Sequence, residues 1–275
     1  MNNKYYIFSD ESGSWANPQD KFYIRSWVKV KEDDYLKLVG LWGKMKYPKP
    51  THNSLLKNSN NIVGELNKIE SKYFFTFTKL DEFYKRKFNV RNVIMENVSA
   101  ALLQLEDKLK SYMKTEIPKK TKDAVNYVLF LNIYESYHIE NALRELCDSG
   151  EDYEVYFDKP QFTENDYIEI FNKLTEKSKV KAKPVISKKS SNNGEGLGIS
   201  YADGLALLSI KIIQENANDE IIEFLKKNIL LKSIAGNIGV MGFNKIFYPI
   251  SRSYGDDNLR LEETNLINNM IQKLQ

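Results

Sequence analysis

The chain has 275 residues, 42% of them hydrophobic and 28% charged, with a net charge of +3 and a pI near 8.6, an ordinary balance for one large globular domain or two small ones. So small a surplus, mixed along the chain, does not identify a nucleic-acid binder, and any basic patch has to be made by the fold. The single Cys147 excludes an intramolecular disulfide and a cysteine-held zinc, and His52 and His138 leave little for a histidine-rich site, so a bound metal would be Mg²⁺ or Mn²⁺ on carboxylates.

In chain order, "KYYIFSD" is rich in β-branched and aromatic residues and predicts a first strand, ended by the turn-rich "SGSWANPQD". "KFYIRSWVKV" predicts a second strand. "DDYLKLVGLWGKM" has helical spacing at Tyr35, Leu38, Val39 and Trp42, with Asp33 or Asp34 as its cap. "YPKPTHNS" breaks that helix, and "SLLKNSNNIVGELNKIES" predicts another. "KYFFTFTKL" is the third strand. A mainly helical region follows from Asp81 to Asp148, with Ile94, Val98, Leu102, Leu105 and Leu109 on one face. "YEVYFDKPQ" is a fourth strand, closed by Lys159-Pro160, and "ENDYIEIFNKLTEKS" a helix. "KVKAKPVIS" is a fifth strand, whose Pro184 suggests an edge. "KKSSNNGEG" predicts a flexible loop and "LGISYADGLALLSIKIIQENA" the last core helix.

Sequential strands favour an antiparallel meander, and strands separated by helices favour parallel crossovers. The expectation is an α/β fold: a mixed five-stranded sheet flanked by helices, in the order of the ribonuclease H-like fold. Helical insertions would fall within residues 1–217, and residues 218–275 would form a C-terminal extension packed on the same domain. The N-terminal run is too short and too acidic for a signal peptide. Stretches such as "ILLKSIAGNIGVMGF" fall short of about 20 apolar residues. A cytoplasmic protein without a membrane partner is expected.

Acids mark where chemistry would sit. Asp10 and Glu11 end the first strand, Asp158 ends the fourth, and Asp203 lies early in the last core helix, between the small Ala202 and Gly204. If strands one and four are adjacent and parallel, residues more than a hundred positions apart form one acidic cluster. Unscreened carboxylates raise one another's pKa, so such a cluster points to a cation. Divalent ions on carboxylates activate water and stabilise a leaving oxygen in phosphodiester hydrolysis. Each acid also has an ordinary reading: Asp10 and Asp158 as turn formers, Glu11 as a solvated side chain, Asp203 as a helix residue.

"YIFSDESGSW" (Tyr6 to Trp15) and "GISYADGLALL" (Gly198 to Leu208) resemble the two motifs of the bacterial domain-of-unknown-function 3800 family: Asp-Glu-Ser-Gly after a strand, and Gln-x-Ala-Asp at the start of a helix. The resemblance spans Lys4 to Ala217. It implies a ribonuclease H-like nuclease in which Asp10, Glu11, Asp158 and Asp203 are the site acids, with Asp10, Asp158 and Asp203 on Mg²⁺ or Mn²⁺. Ser187 and Lys188 match a Ser-Lys segment near that site, and His52 remains from a segment that often carries Glu before His or Lys. Two positions depart from the pattern: Ser200 stands in place of Gln, and Pro50 in place of the Glu.

Other features carry less. Glu96 and Glu195 read as further acids or as plain helix and loop residues. "KVKAKPVISKKSS" and "EFYKRKFNVR" read as phosphate-binding stretches or as solvated faces. "GEGLG" lacks the residues of a dinucleotide loop or P-loop, and neither Cys147 nor Ser12 has a catalytic partner. The reading that follows is a metal-dependent nuclease acting on RNA or DNA through activated water. The alternative is an inactive nucleic-acid or partner-binding module on the same fold, such as a phage-defence component.

Overall fold

The computed structural model describes residues 4–14, 19–44, 56, 64–65, 68–80, 135–158, 164–187, 194–230, 246–250 and 257–274. Its strands are β1 (Lys4–Ser12), β2 (Phe22–Lys31), β3 (Ser71–Lys79), β4 (Asp152–Phe157), β5 (Lys181–Ile186) and β6 (Phe247–Pro249). Its helices are α1 (Glu32–Lys44), α2 (Ser136–Leu146), α3 (Glu164–Ser178), α4 (Gly194–Ile213), α5 (Asp219–Leu225) and α6 (Asp257–Leu274), with a π-helical turn at Lys226–Leu230.

These strands form one mixed sheet in the order β5-β4-β1-β2-β3-β6. β1 pairs antiparallel with β2 and parallel with β4, β2 is antiparallel to β3, and β5 is parallel to β4. The expected neighbours β1 and β4 therefore lie side by side, pointing the same way. Against the expected five strands, the described residues form six. Phe247–Pro249, within residues 218–275, pairs parallel with β3, and Phe247 stacks on Phe75 at 4.7 Å between ring centroids. Three residues are too few for a sequence pattern of period two to register.

β1 is buried on both faces, so it reads as an apolar run rather than an alternation. One face of the sheet, with Tyr6, Phe8, Ile24 and Phe75, packs against α1, α4, α5 and α6. The other, with Ile7, Tyr23, Trp27 and Phe157, packs against α2 and α3. Lys29 and Lys72 donate to the carbonyls of Leu146 and Glu145, a favourable place for cations at the C-terminus of α2. In α1, Asp34 is not a cap: its carboxylate accepts the Glu70 backbone N–H at 3.0 Å, tying the helix to the approach of β3.

α4 begins three residues before the expected Leu197, so "GEG" is its first turn and not a loop. It is the one helix among the described residues long and apolar enough by length and composition to cross a membrane, which corrects the expectation that no stretch reaches that length. Of its most apolar window 83% is buried inside the fold, so the core accounts for its composition. Two of its glycines permit that burial. A Cβ on Gly198 would meet the Phe8 ring at 2.4 Å, and one on Gly194 would meet Val39 of α1 at 2.5 Å.

Candidate functional site

The β1–β4 ladder ends at the pair Ser9↔Phe157. One residue further along both strands stand Asp10 and Asp158, neighbours at the C-terminal edge of the sheet. The row continues onto β5, where the Ser187 backbone N–H donates to the Phe157 carbonyl at 2.9 Å. β1 itself does not stop at Asp10. It stays paired with β2 through Asp10↔Ser26, Glu11↔Arg25 and Ser12↔Ile24.

Because β1 continues, its two acids point to opposite faces. Asp10 shares the α4 face with Tyr6 and Phe8, is only 5% exposed, and accepts the Glu11 backbone N–H at 2.9 Å. Its partner Ser26 donates its hydroxyl to the Ala202 carbonyl at 2.5 Å, and that hydroxyl lies 3.5 Å from the Asp10 carbonyl. α4 is thereby held against the strand at the level of Asp10. Asp203, the next residue, lies about 100° further round the helix, on a half-buried stripe with Leu207 and Lys211. Asp203 is thus mid-helix, not in the first turns.

Glu11 occupies the other face. Its carboxylate lies 2.8 Å from the Arg25 guanidinium, which also lies 2.8 Å from Glu135 just ahead of α2. Glu135 is fully buried and accepts hydrogen bonds from Tyr23 at 3.0 Å and Tyr167 at 2.9 Å. Arg25, itself 1% exposed, further donates to Ser9 at 3.3 Å and sits 5.7 Å from the ring centroids of Trp27, Phe157 and Tyr167. Burial opposes the Arg25 charge, but Glu135 and Glu11 hold its pKa well above the ordinary value. Burial, with Glu135 and Glu11 adding to it, keeps the Tyr23 and Tyr167 hydroxyls protonated far above their usual range, against the pull of Arg25. The expected grouping of Glu11 with Asp10 is corrected: the pleat separates them, and Glu11 belongs to this buried ionic cluster.

Beside the cluster, His138 is wholly buried, with Nδ1 2.6 Å from the Thr76 hydroxyl and Nε2 3.0 Å from that of Thr78. Burial, reinforced by Arg25, pushes its pKa well below the ordinary histidine value. It is a neutral core group.

Ser187 and Glu195 meet at the α4 end of the acidic edge, where the Ser187 hydroxyl donates to Glu195 at 3.2 Å. Glu195 sits in the first turn of α4, which favours a negative charge. Ser200, at the Gln position of the resembled motif, is fully buried and donates to the Gly196 carbonyl at 2.7 Å. His52, Lys188, Pro50 and Glu96 lie outside the described residues, as do "EFYKRKFNVR" and the helical region up to residue 134. Among the described residues, no group of three or more His, Cys, Asp and Glu side chains is arranged to hold a metal ion.

Arg25, Glu135, Tyr23, Tyr167 and Ser26 were not picked out from the sequence. The available signal was an arginine within the otherwise apolar "FYIRSWV", which needs a buried counter-charge if that segment is a central strand. No family model matches the chain, and no curated protein matches it.

Proposed function

We propose that the chain is a divalent-metal-dependent phosphodiesterase acting on nucleic acid, built on a ribonuclease H-like arrangement of the kind found in the domain-of-unknown-function 3800 family. One observation carries the reading: Asp10 and Asp158 stand side by side beyond the last pair of the parallel β1–β4 ladder, while Ser26 links the Asp10 strand to the turn of α4 that bears Asp203. Asp10 and Asp158 follow the last pair of adjacent strands, and Asp203 follows the residue that Ser26 holds. Among the described residues these side chains are not already gathered as a metal-holding group, so the reading requires them to close on the ion, and their hard oxygens suit Mg²⁺ or Mn²⁺. Bound there, such an ion would lower the pKa of water and offset the charge of a phosphodiester.

The chain's own groups have separate tasks. Asp10, held by its near-complete burial and by the Glu11 N–H, is the fixed ligand. Asp158 and Asp203, both half-buried and so open enough to meet substrate, would close on the ion beside Asp10. Ser187 and Glu195 form a polar pair at the β5 end, suited to orienting water or a phosphate oxygen. Glu11 acts through its pairing with Arg25, as an anchor for the strand that carries Asp10.

Titration calorimetry with Mn²⁺ and a cleavage assay on single-stranded DNA and RNA test the reading. Asp10→Asn and Asp203→Asn each lose Mn²⁺ binding and cleavage. Wild-type protein that cleaves nothing beyond the Asp10→Asn control would sink it. Ser200 favours the second reading, a non-catalytic binding module, because its hydroxyl is spent inside α4 and adds nothing to the site. That reading gains if nucleic acid is bound without metal and without turnover.

A further inference from the structure

A cavity of about 390 Å³ opens where α6 crosses the ends of β2 and β3, lined by Phe22, Lys79, Glu262, Asn265, Leu266 and Asn269. Lys79 and Glu262 form an ion pair at 2.9 Å that ties α6 to β3. The volume lies within the range of small-ligand pockets.

The topology places this cavity on the edge and face that carry Asp10. β2 runs antiparallel to β1, so Phe22 at its start lies at the end where β1 finishes, and Lys79 pairs directly with Phe22. Gly13, with φ +85°, presses the turn after β1 onto Phe22, whose carbonyl oxygen would be 2.2 Å from a Cβ at that glycine. Phe22 and Ser26, the partner of Asp10, are four residues apart in β2 and point to the same face. The separation along the strand is about 14 Å. That is a few nucleotides along a single strand, not the position of the scissile bond.

The lining has the chemistry of base recognition. Phe22 and Leu266 make an apolar floor. Asn265 and Asn269, four residues apart and so on one face of α6, are exposed at the rim, and each amide offers a donor and an acceptor together. That paired pattern matches the N6 and N7 groups of adenine, while the Glu262 carboxylate accepts from an exocyclic amino group. Lys79, shared with Glu262, lies beside the path of the adjoining phosphate. An unstacked base is the form in which single strands are read.

We infer that this cavity is a subsite for one unstacked base of a single-stranded nucleic acid, adenine by preference, whose backbone runs on toward Asp10. The inference rests on the phosphodiesterase reading above and adds to it a place where the strand is read.

Fluorescence anisotropy of the full chain in EDTA, with end-labelled six-nucleotide strands of deoxyadenosine and of thymidine, tests it alongside Mn²⁺-dependent cleavage of both. The expected result is about five-fold or tighter binding of the adenine strand, with the preference lost in the double variant Asn265→Ala, Asn269→Ala. A circular-dichroism melt confirms that the variant folds. A preference unchanged in that variant overturns the subsite. Cleavage by wild type with no base preference also overturns the subsite but leaves the phosphodiesterase reading standing. Neither binding nor cleavage overturns both. Adenosine monophosphate bound as tightly as the strand overturns the strand as the occupant and makes the free nucleotide the ligand.

Discussion

The Arg25 guanidinium and the Glu11 carboxylate lie 2.8 Å apart across the β1–β2 ladder, on the face of the sheet opposite to Asp10. Two adjacent acids at the end of a strand thus have unlike fates: one is neutralised within the core, the other faces α4. With Glu135 also on Arg25, two carboxylates share one buried guanidinium, and the Tyr23 and Tyr167 hydroxyls both donate to Glu135. Four elements, β1, β2, α3 and the start of α2, meet in this cluster.

Truncating the guanidinium leaves Glu135 buried without its counter-charge. Arg25→Leu is therefore expected to lower the unfolding free energy by about 3–5 kcal/mol. Arg25→Lys keeps the charge but has one nitrogen in place of Nη2, which lies against both acids, and Nη1, which donates to Ser9, and it costs less. Urea denaturation of the three proteins gives both values.

Three glycines sort by what a methyl group would meet. Gly13→Ala meets a positive φ and the Phe22 carbonyl, and Gly198→Ala meets the Phe8 ring, so each destabilises by about 1–3 kcal/mol. Gly40, in α1, has nothing within 4 Å, and Gly40→Ala raises stability by about 0.5–1 kcal/mol through helix propensity alone. Thermal melts place the first two below wild type and the third above it.

His138 gives stability a pH dependence. Its folded pKa is depressed, so as pH falls through about 6.5 the unfolded chain takes up a proton that the folded chain refuses. The contribution is intact above that pH and is lost as pH falls toward the folded value, at up to about 1.4 kcal/mol per pH unit. His138→Gln removes this slope while other groups still titrate. Unfolding free energies of both proteins at pH 7.5 and 5.5 show it as a smaller drop in the variant.

Cys147 is chemically quiet. Burial pushes its thiol up to about 12, against the pull of Lys29, so almost no thiolate exists at neutral pH. A chromogenic disulfide reagent at pH 8 is expected to label the native protein slowly and the urea-unfolded protein at once. Equal rates would show that the native thiol is open to solvent.

Much of the fold was legible because its signals are local. The apolar runs "YYIF" and "YFFTF" predict buried strands, and Glu164–Ser178 carries the helical pattern from end to end. β6 was not legible, since three residues make no pattern and Phe247 is a strand residue only because β3 lies open beside it. The start of α4 was misplaced because glycines read as loop, whereas Gly194 and Gly198 are there to let Val39 and Phe8 approach. Asp10, Asp158 and Asp203 stood out by position, but Arg25 and Glu135, 110 residues apart, show their pairing only when α2 is laid on the sheet.

By itself the sequence determined that "YYIFSD" forms a strand and that an acid pair falls at its end, because β propensity and the Ser-Gly turn are properties of neighbouring residues. Only the tertiary structure decided what each acid does. Period-two alternation sends Asp10 and Glu11 to opposite faces, and the packing of the helices decides what waits there: Ser26 and the turn of α4 bearing Asp203 for one, the buried Arg25 for the other.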